Sequence, residues 1–289
     1  MNLLKSQCTA LLALLGGLLI VSAVPPSVQA QEDGRNGPPN VLVMQREMLK
    51  PGKSGSTHEQ TERAFVQAMT AAKSTSHYFG MDSMSGPSRS LFFMGFNSFA
   101  AWEKDNHAIR DNASLAAAID HASVVDGELL EKYEQNVFVL RPDMSLNMGN
   151  LLHMRYFEIL RFDILPGHEH EWEDLVKMYV EGYKKAVPEA HWVTFELAYG
   201  VAEGGVFLVL NPMKSLEETD HNMANSKKFM DAMGPVGMKR LGELSAASIK
   251  SSQSNLFEFN PKISYPPDEW IKGEPEFWKP VQPAKKSMK

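Results

Sequence analysis

A histidine beside an aromatic ring occurs twice, as His77-Tyr78 and, 114 positions on, as His191-Trp192. An imidazole titrates near neutrality, so beside a ring at a strand end it can act as a base or as a hydrogen-bond donor to an aromatic ligand. The alternative is packing, with Tyr78 and Trp192 in the core and each imidazole at the surface. A second polar group also recurs, as Asp105-Asn106-His107 and Asp220-His221-Asn222. Short polar side chains there can end a helix. If that end faces a cleft, His107 and His221 join His77 and His191 as acid-base candidates, and Tyr78, Trp192, Asp105, Asp220 and Asn222 become ligand contacts. The densest histidine stretch is His168-Glu169-His170-Glu171-Trp172. On a helix, residues two apart point about 200° from each other, so His168 and His170 diverge. His168 with Glu171 is only half a site, and helix initiation, with the acids at the N-terminal dipole, is the better reading. No metal is expected.

Other chemistries lack their motifs. There is no Gly-x-Ser-x-Gly elbow, no phosphate-cradling Gly-rich loop, no His-Glu-x-x-His and no dinucleotide fingerprint. The net charge is −6, no run of Lys or Arg exceeds two, and no second long apolar stretch follows the first. Nucleic acid and anionic membranes are poor partners for such a chain. Residues 1–30 read as an export signal: Lys5, an apolar run from Leu11 to Val24, and small residues before Gln31. Removing them takes away the one cysteine, Cys8, which excludes disulfides, thiolate nucleophiles and thiolate metal sites. A periplasmic or extracellular location follows, with no membrane contact once the signal is lost.

The elements that must position these groups come in two sets. Leu49-Lys50-Pro51-Gly52 is echoed by Ile164-Leu165-Pro166-Gly167, the run Leu91–Asn97 by Val206–Asn211, and Val137–Pro142 by Leu256–Pro261, always in the same order. Such an echo is the mark of a duplicated unit. The expected division is a polar lead at 31–39, repeats at 40–143 and 151–262, and a proline-rich arm at 263–289. Each repeat begins with a β-rich stretch (41–48 and 154–164) closed by Pro-Gly. Trp172, Leu175, Val176, Tyr179 and Tyr183 then share one helix face; Ala64, Phe65, Ala68, Met69 and Ala72 do the same behind Thr57-His58-Glu59-Gln60, which has capping-box spacing. Strands follow near 76–82 and 89–96, and near 191–199 and 205–210, each pair joined by a Gly-containing hairpin loop. A helical stretch, begun in the second repeat by Ser215 and Glu218, and a last strand complete each set. The fold class is therefore α+β: two ferredoxin-like β-α-β-β-α-β halves packed sheet to sheet as one intramolecular α+β barrel. The arm, with Pro266, Pro267, Pro275, Trp270, Phe277 and Trp278, is expected to be an extended strap over the body.

In element order and in its Pro-Gly and strand echoes the chain resembles the dimeric α+β barrel superfamily, antibiotic-biosynthesis-monooxygenase-like, as a secreted tandem version. That superfamily spans cofactor-free monooxygenases, haem-degrading enzymes, isomerases and ligand-binding domains, so the resemblance implies a place rather than a reaction: the cleft between sheet and helices, or the barrel interior. Three functions follow. The first is an exported protein that binds a small apolar or aromatic molecule, with no cofactor; frequent methionines such as Met81, Met94, Met178, Met223, Met230 and Met233 would soften its pocket. The second is a cofactor-independent or haem-using monooxygenase-like enzyme working through the four histidines. The third is a structural or partner-binding envelope protein. A pocket that gathers two of the histidines beside aromatic rings would favour the enzyme. The chain would act as a monomeric pseudo-dimer or a homodimer.

Overall fold

The computed structural model describes residues 37–149 and 151–278. The expected export signal, most of the polar lead and the last residues of the arm lie outside them. In chain order the elements are β1 (Val41–Leu49), α1 (Ser56–Ala72), β2 (Phe79–Ser83), β3 (Arg89–Phe96), α2 (Phe99–Asp111), α3 (Ala113–Gly127), β4 (Leu130–Leu140), β5 (Tyr156–Ile164), α4 (Glu169–Ala186), β6 (Val193–Tyr199), β7 (Val206–Met213), α5 (Glu217–Ser248), β8 (Ile249–Phe259), α6 (Asp268–Gly273) and α7 (Pro275–Trp278). The strands close an antiparallel barrel in the order β1-β3-β2-β8-β5-β7-β6-β4. No described helix is long and apolar enough to cross a membrane.

Strand side chains alternate between two faces; here the inner face is filled and helices cover much of the outer one, while the outward residues of β8, such as Ser252, Ser254 and Glu258, and Tyr133 and Gln135 of β4 are exposed. The inward face of the barrel carries Leu42, Met44, Met81, Leu91, Phe93, Phe138, Phe157, Ile159, Phe195, Leu208, Leu210, Phe257 and Phe259 in one buried cluster. The outward face of β5, β6 and β7 packs against α4 and α5, and that of β1, β2 and β3 against α1 and α3. Two seams complete the closure, Met81–Ser83 of β2 against Phe257–Phe259 of β8 and Val137–Leu140 of β4 against Phe195–Tyr199 of β6. Gly52 and Gly167, with φ of 77° and 83°, turn the chain after β1 and β5, a conformation only glycine adopts without cost.

Several local expectations need correction. Aligned at Asn97 and Asn211, the echo sets Phe93 against Phe207 and is out of register: Phe93 faces into the barrel, Phe207 faces the helices. Ladder positions agree better when Leu91, opposite Arg46, is matched with Leu208, opposite Arg161. Thr57 does not cap α1; Gly55 does, so 57–60 lie inside the helix. Ser215 does not cap α5 either, although Glu218 turns back to accept the Lys214 N–H at 2.9 Å. Asp105–His107 and Asp220–Asn222 end no helix, since α2 and α5 run on past them. The single long helix expected before the last strand is broken in both places, at Asn112 between α2 and α3 and at Gly234-Pro235 within α5. The arm is not an extended strap: Pro267 stands at the N-cap of one short helix and Pro275 is the first residue of another, positions where a missing N–H costs nothing. They seat Trp278, 1% exposed, in the barrel's apolar interior, with Trp270, Ile271 and Phe277 packed around it.

Candidate functional site

On the outer face of β5, β6 and β7, under α4 and α5, lies a cleft of about 660 Å³. Strand alternation explains its floor, because Glu158, Leu160 and Phe162 point out of the barrel from β5 while Phe157 and Ile159 point in. Trp172, Leu175, Val176, Tyr179 and Tyr183, the apolar face of α4, form one wall. Phe229 of α5 stacks on Tyr183 with centroids 4.4 Å apart and on Tyr179 at 5.2 Å, and this fixes the rings in place. Trp192 meets Tyr183 edge-on at 5.5 Å and donates its indole N–H to the Met144 carbonyl at 2.8 Å. Burial pushes the Tyr179 hydroxyl pKa up.

Most of the polar groups gather at one end, although Thr194 and Ser245 also line the cleft. Glu158 pairs with Asn211 across β5 and β7 and accepts from Ser254 Oγ at 2.9 Å and Asn211 Nδ2 at 3.4 Å. His191 hangs beside the end of β7, its Nε2 donating to the Pro212 carbonyl at 2.8 Å. The first turns of α5 add Glu218, His221, Asn222, Asn225 and Ser226. A molecule held here would lie against aromatic rings with its polar end toward the imidazoles of His191 and His221 and the carboxylates of Glu158, Glu189 and Glu218.

The nine expected site residues therefore part company. His191, Trp192, His221 and Asn222 meet in this cleft. Asp220, one position before His221, is exposed and is not among the lining residues. His77 stacks on Tyr265 at 5.2 Å and sits 3.3 Å from its carbonyl, with its pKa lowered by burial. Tyr78 is buried in the packing of α1 and α3 against the sheet. Asp105 accepts from Ser76 Oγ at 2.6 Å, and His107 is exposed beside Arg110. No methionine lines the cleft; Met81 fills the barrel, Met178 and Met233 pack beneath α4 and α5, and Met223 and Met230 face solvent. His168 begins α4 with Glu169 and Glu171 in its first turn.

The first half of the barrel holds a group that spacing did not suggest. Glu47 of β1, His58 and Glu62 of α1, and Asp126 of α3 are all buried, and one donor atom from each lies within 4.8 Å of the others. His58 Nε2 is 3.0 Å from Glu47 Oε2, 3.6 Å from Asp126 Oδ1 and 3.8 Å from Glu62 Oε1. Ser90 stands behind the imidazole, its Oγ 3.4 Å from Nδ1, and itself donates to Asp82. Burial drives Glu62 well above the carboxylate range, with Glu47, Asp126 and Asp82 adding to it; Glu47 is also raised by burial, against the pull of its bond to His58. Burial alone would depress His58, but the Glu47 bond and the carboxylates of Asp126 and Asp82 outweigh it and raise its pKa. One local signal existed, the i, i+4 spacing of His58 and Glu62 on α1. Glu47 and Asp126 join them only through topology.

No family model matches the chain, and no curated protein matches it either. Among solved structures it is similar to a putative monooxygenase from Lactobacillus acidophilus (8% identity, 76% of this chain and 93% of that one, TM-score 0.44). Others are an anthrone oxidase-like protein (12%, 76% and 91%, TM-score 0.47) and a mutant chlorite dismutase from Candidatus Nitrospira defluvii (8%, 81% and 95%, TM-score 0.46). At such identities and scores these likenesses transfer no activity to this chain.

Proposed function

We propose that this chain is an exported small-molecule-binding protein whose ligand, mostly apolar and with an aromatic ring, lies in the cleft between the β5–β7 face and α4 and α5. The supporting observation is the cleft's construction: one wall of aromatic rings fixed by stacking on Phe229, and polar groups concentrated toward Glu158, His191 and the first turns of α5. Apolar walls with a few convergent polar groups are the usual composition of a ligand site. A second reading, a monooxygenase-like enzyme, is favoured by the meeting of His191 and His221 at that polar end, where a proton of a bound hydroxyl would be within reach of an imidazole. Haem is the cofactor this reading admits, with His221, on the rim, as the imidazole to hold it. The chain is further read as a duplication of one ferredoxin-like unit, acting as a single-chain pseudo-dimer outside the cytoplasm.

A hydroxynaphthalene titrated against the purified protein should quench tryptophan fluorescence saturably, with one site per chain. Trp192→Ala should weaken binding about tenfold, the worth of one lost ring contact. No saturable binding, or binding indifferent to Trp192, sinks the proposal. Oxygen uptake with the bound hydroxyarene, lost in His191→Ala and His221→Ala, would carry the second reading; a Soret band on adding haemin, lost in His221→Ala, would make it the haem form.

A further inference from the structure

We propose that Glu47, His58, Glu62 and Asp126 form a binding site for one divalent first-row transition ion, a structural centre that fastens α1 and α3 to the outer face of β1. The four donors, one imidazole nitrogen and three carboxylate oxygens, come from a strand and two helices that no local sequence feature joins. Bonds of about 2.1 Å to such donors place tetrahedral ligand atoms about 3.4 Å apart. The separations from His58 Nε2, at 3.0, 3.6 and 3.8 Å, bracket that edge, and with all four donor atoms within 4.8 Å of one another an ion would draw the carboxylate oxygens inward by about an ångström at most.

A second observation points to a missing partner. Glu62 Oε1 is fully buried, faces the imidazole and has no hydrogen-bond partner. The Tyr78 hydroxyl, close enough to feel the charges of Glu62 and Glu47, is also buried and without a partner. Buried polar atoms are nearly always satisfied, and each orphan costs about 1–3 kcal/mol. A cation at the centre of the cluster would give Glu62 Oε1 the partner it lacks.

The equivalent place in the other half shows that the fold does not require this polarity. Phe162 and Phe207 are ladder partners there as Glu47 and Ser90 are here, and Trp172 sits between α4 and the sheet with ring centroids 5.0 and 5.1 Å from those two phenylalanines. An ordinary aromatic core fills that position, so the polar version needs something to offset its burial. The imidazole argues for a transition ion over Ca²⁺, which takes six to eight oxygens at longer distance. Four protein donors and no exposed face make the site a closed one, loaded as the chain folds.

Purified full-length protein should carry close to one equivalent of zinc, manganese or iron by elemental analysis. After unfolding with a chelator and refolding, the apo form should melt about 5–10 °C lower, and Zn²⁺ or Mn²⁺ should restore the difference. Co²⁺ should give the visible d–d bands of a low-symmetry four-coordinate site. Glu62→Gln, which keeps the shape of the side chain, should abolish the cobalt bands and the metal-dependent part of the melting temperature while still folding. His58→Gln should do the same, and His107→Gln, on the surface, should change neither. A metal-free protein whose melting is indifferent to all three ions overturns the proposal, as does metal retained in both Glu62→Gln and His58→Gln.

Discussion

Gly182 lies where α4 crosses α5, and a methyl group there would come within 2.5 Å of Phe229 Cε2 and 2.9 Å of Met233 Sδ. Helix propensity alone would favour alanine by up to about 1 kcal/mol. Overpacking of this kind costs about 1–3 kcal/mol, so the clash wins. Because Phe229 is also the ring on which Tyr179 and Tyr183 stack, the disturbance passes straight into the wall of the cleft. Gly182→Ala should therefore lower stability by about 1–2 kcal/mol in urea and weaken hydroxynaphthalene binding together. A variant that is more stable with binding unchanged would show that α4 and α5 have room to part.

At the scale of elements, the arm from Pro267 to Trp278 is held by packing and by charge. Trp278 is anchored in the barrel, while Glu274 receives bonds from His153 and, at 2.9 Å, from Arg155, whose guanidinium lies 4.0 Å from the Phe277 ring. The His153 bond first, then Arg155, hold Glu274 below the ordinary carboxylate range. A depressed carboxyl stabilises the folded state above its unfolded pKa and loses that contribution as pH falls through the folded value. Docking of the arm should thus be constant from neutral pH down to about 5 and weaken below about 4, read as limited cleavage near the arm by a neutral protease at neutral pH and by an acid protease in acid, each scaled to an unfolded control. Glu274→Gln should be cut faster at neutral pH and lose the acid dependence. The arm also shows where sequence reading stops. Its prolines suggested an extended chain because proline ends helices, yet at a first helical position it begins them, and only the fold decides between these. Strands were legible where alternation and Pro-Gly exits coincide, as at Val41–Leu49 and Tyr156–Ile164. In the cleft, His191 and His221 stood out because each belongs to a recurring pair. Glu47 and Asp126 could not, since each is an isolated acid until β1 and α3 bring it to His58.

For the whole molecule, the barrel interior is shared property. Phe93 contacts Phe157 with centroids 6.5 Å apart, and Phe157 contacts Phe259 at 5.2 Å, which binds the strands before residue 150 to those after it through one apolar filling. The two seams give the same result in the backbone: the edges of β2 and β4 are covered only by β8 and β6. Separated, a piece covering 37–149 would expose Leu42, Met44, Met81, Leu91, Phe93 and Phe138 on one sheet face, along with two unpaired strand edges. Both features drive association. Such a piece should not persist as a folded monomer; expressed alone, it should aggregate or pair with a second copy to rebuild a barrel. Co-expressed with 151–278, it should form a one-to-one complex with the circular dichroism of the intact chain. Size-exclusion chromatography with light scattering distinguishes these outcomes. A monomeric 37–149 fragment with a cooperative melt would mean that the outer packing of α1 and α3 suffices, and that the common interior is not what makes the halves depend on each other.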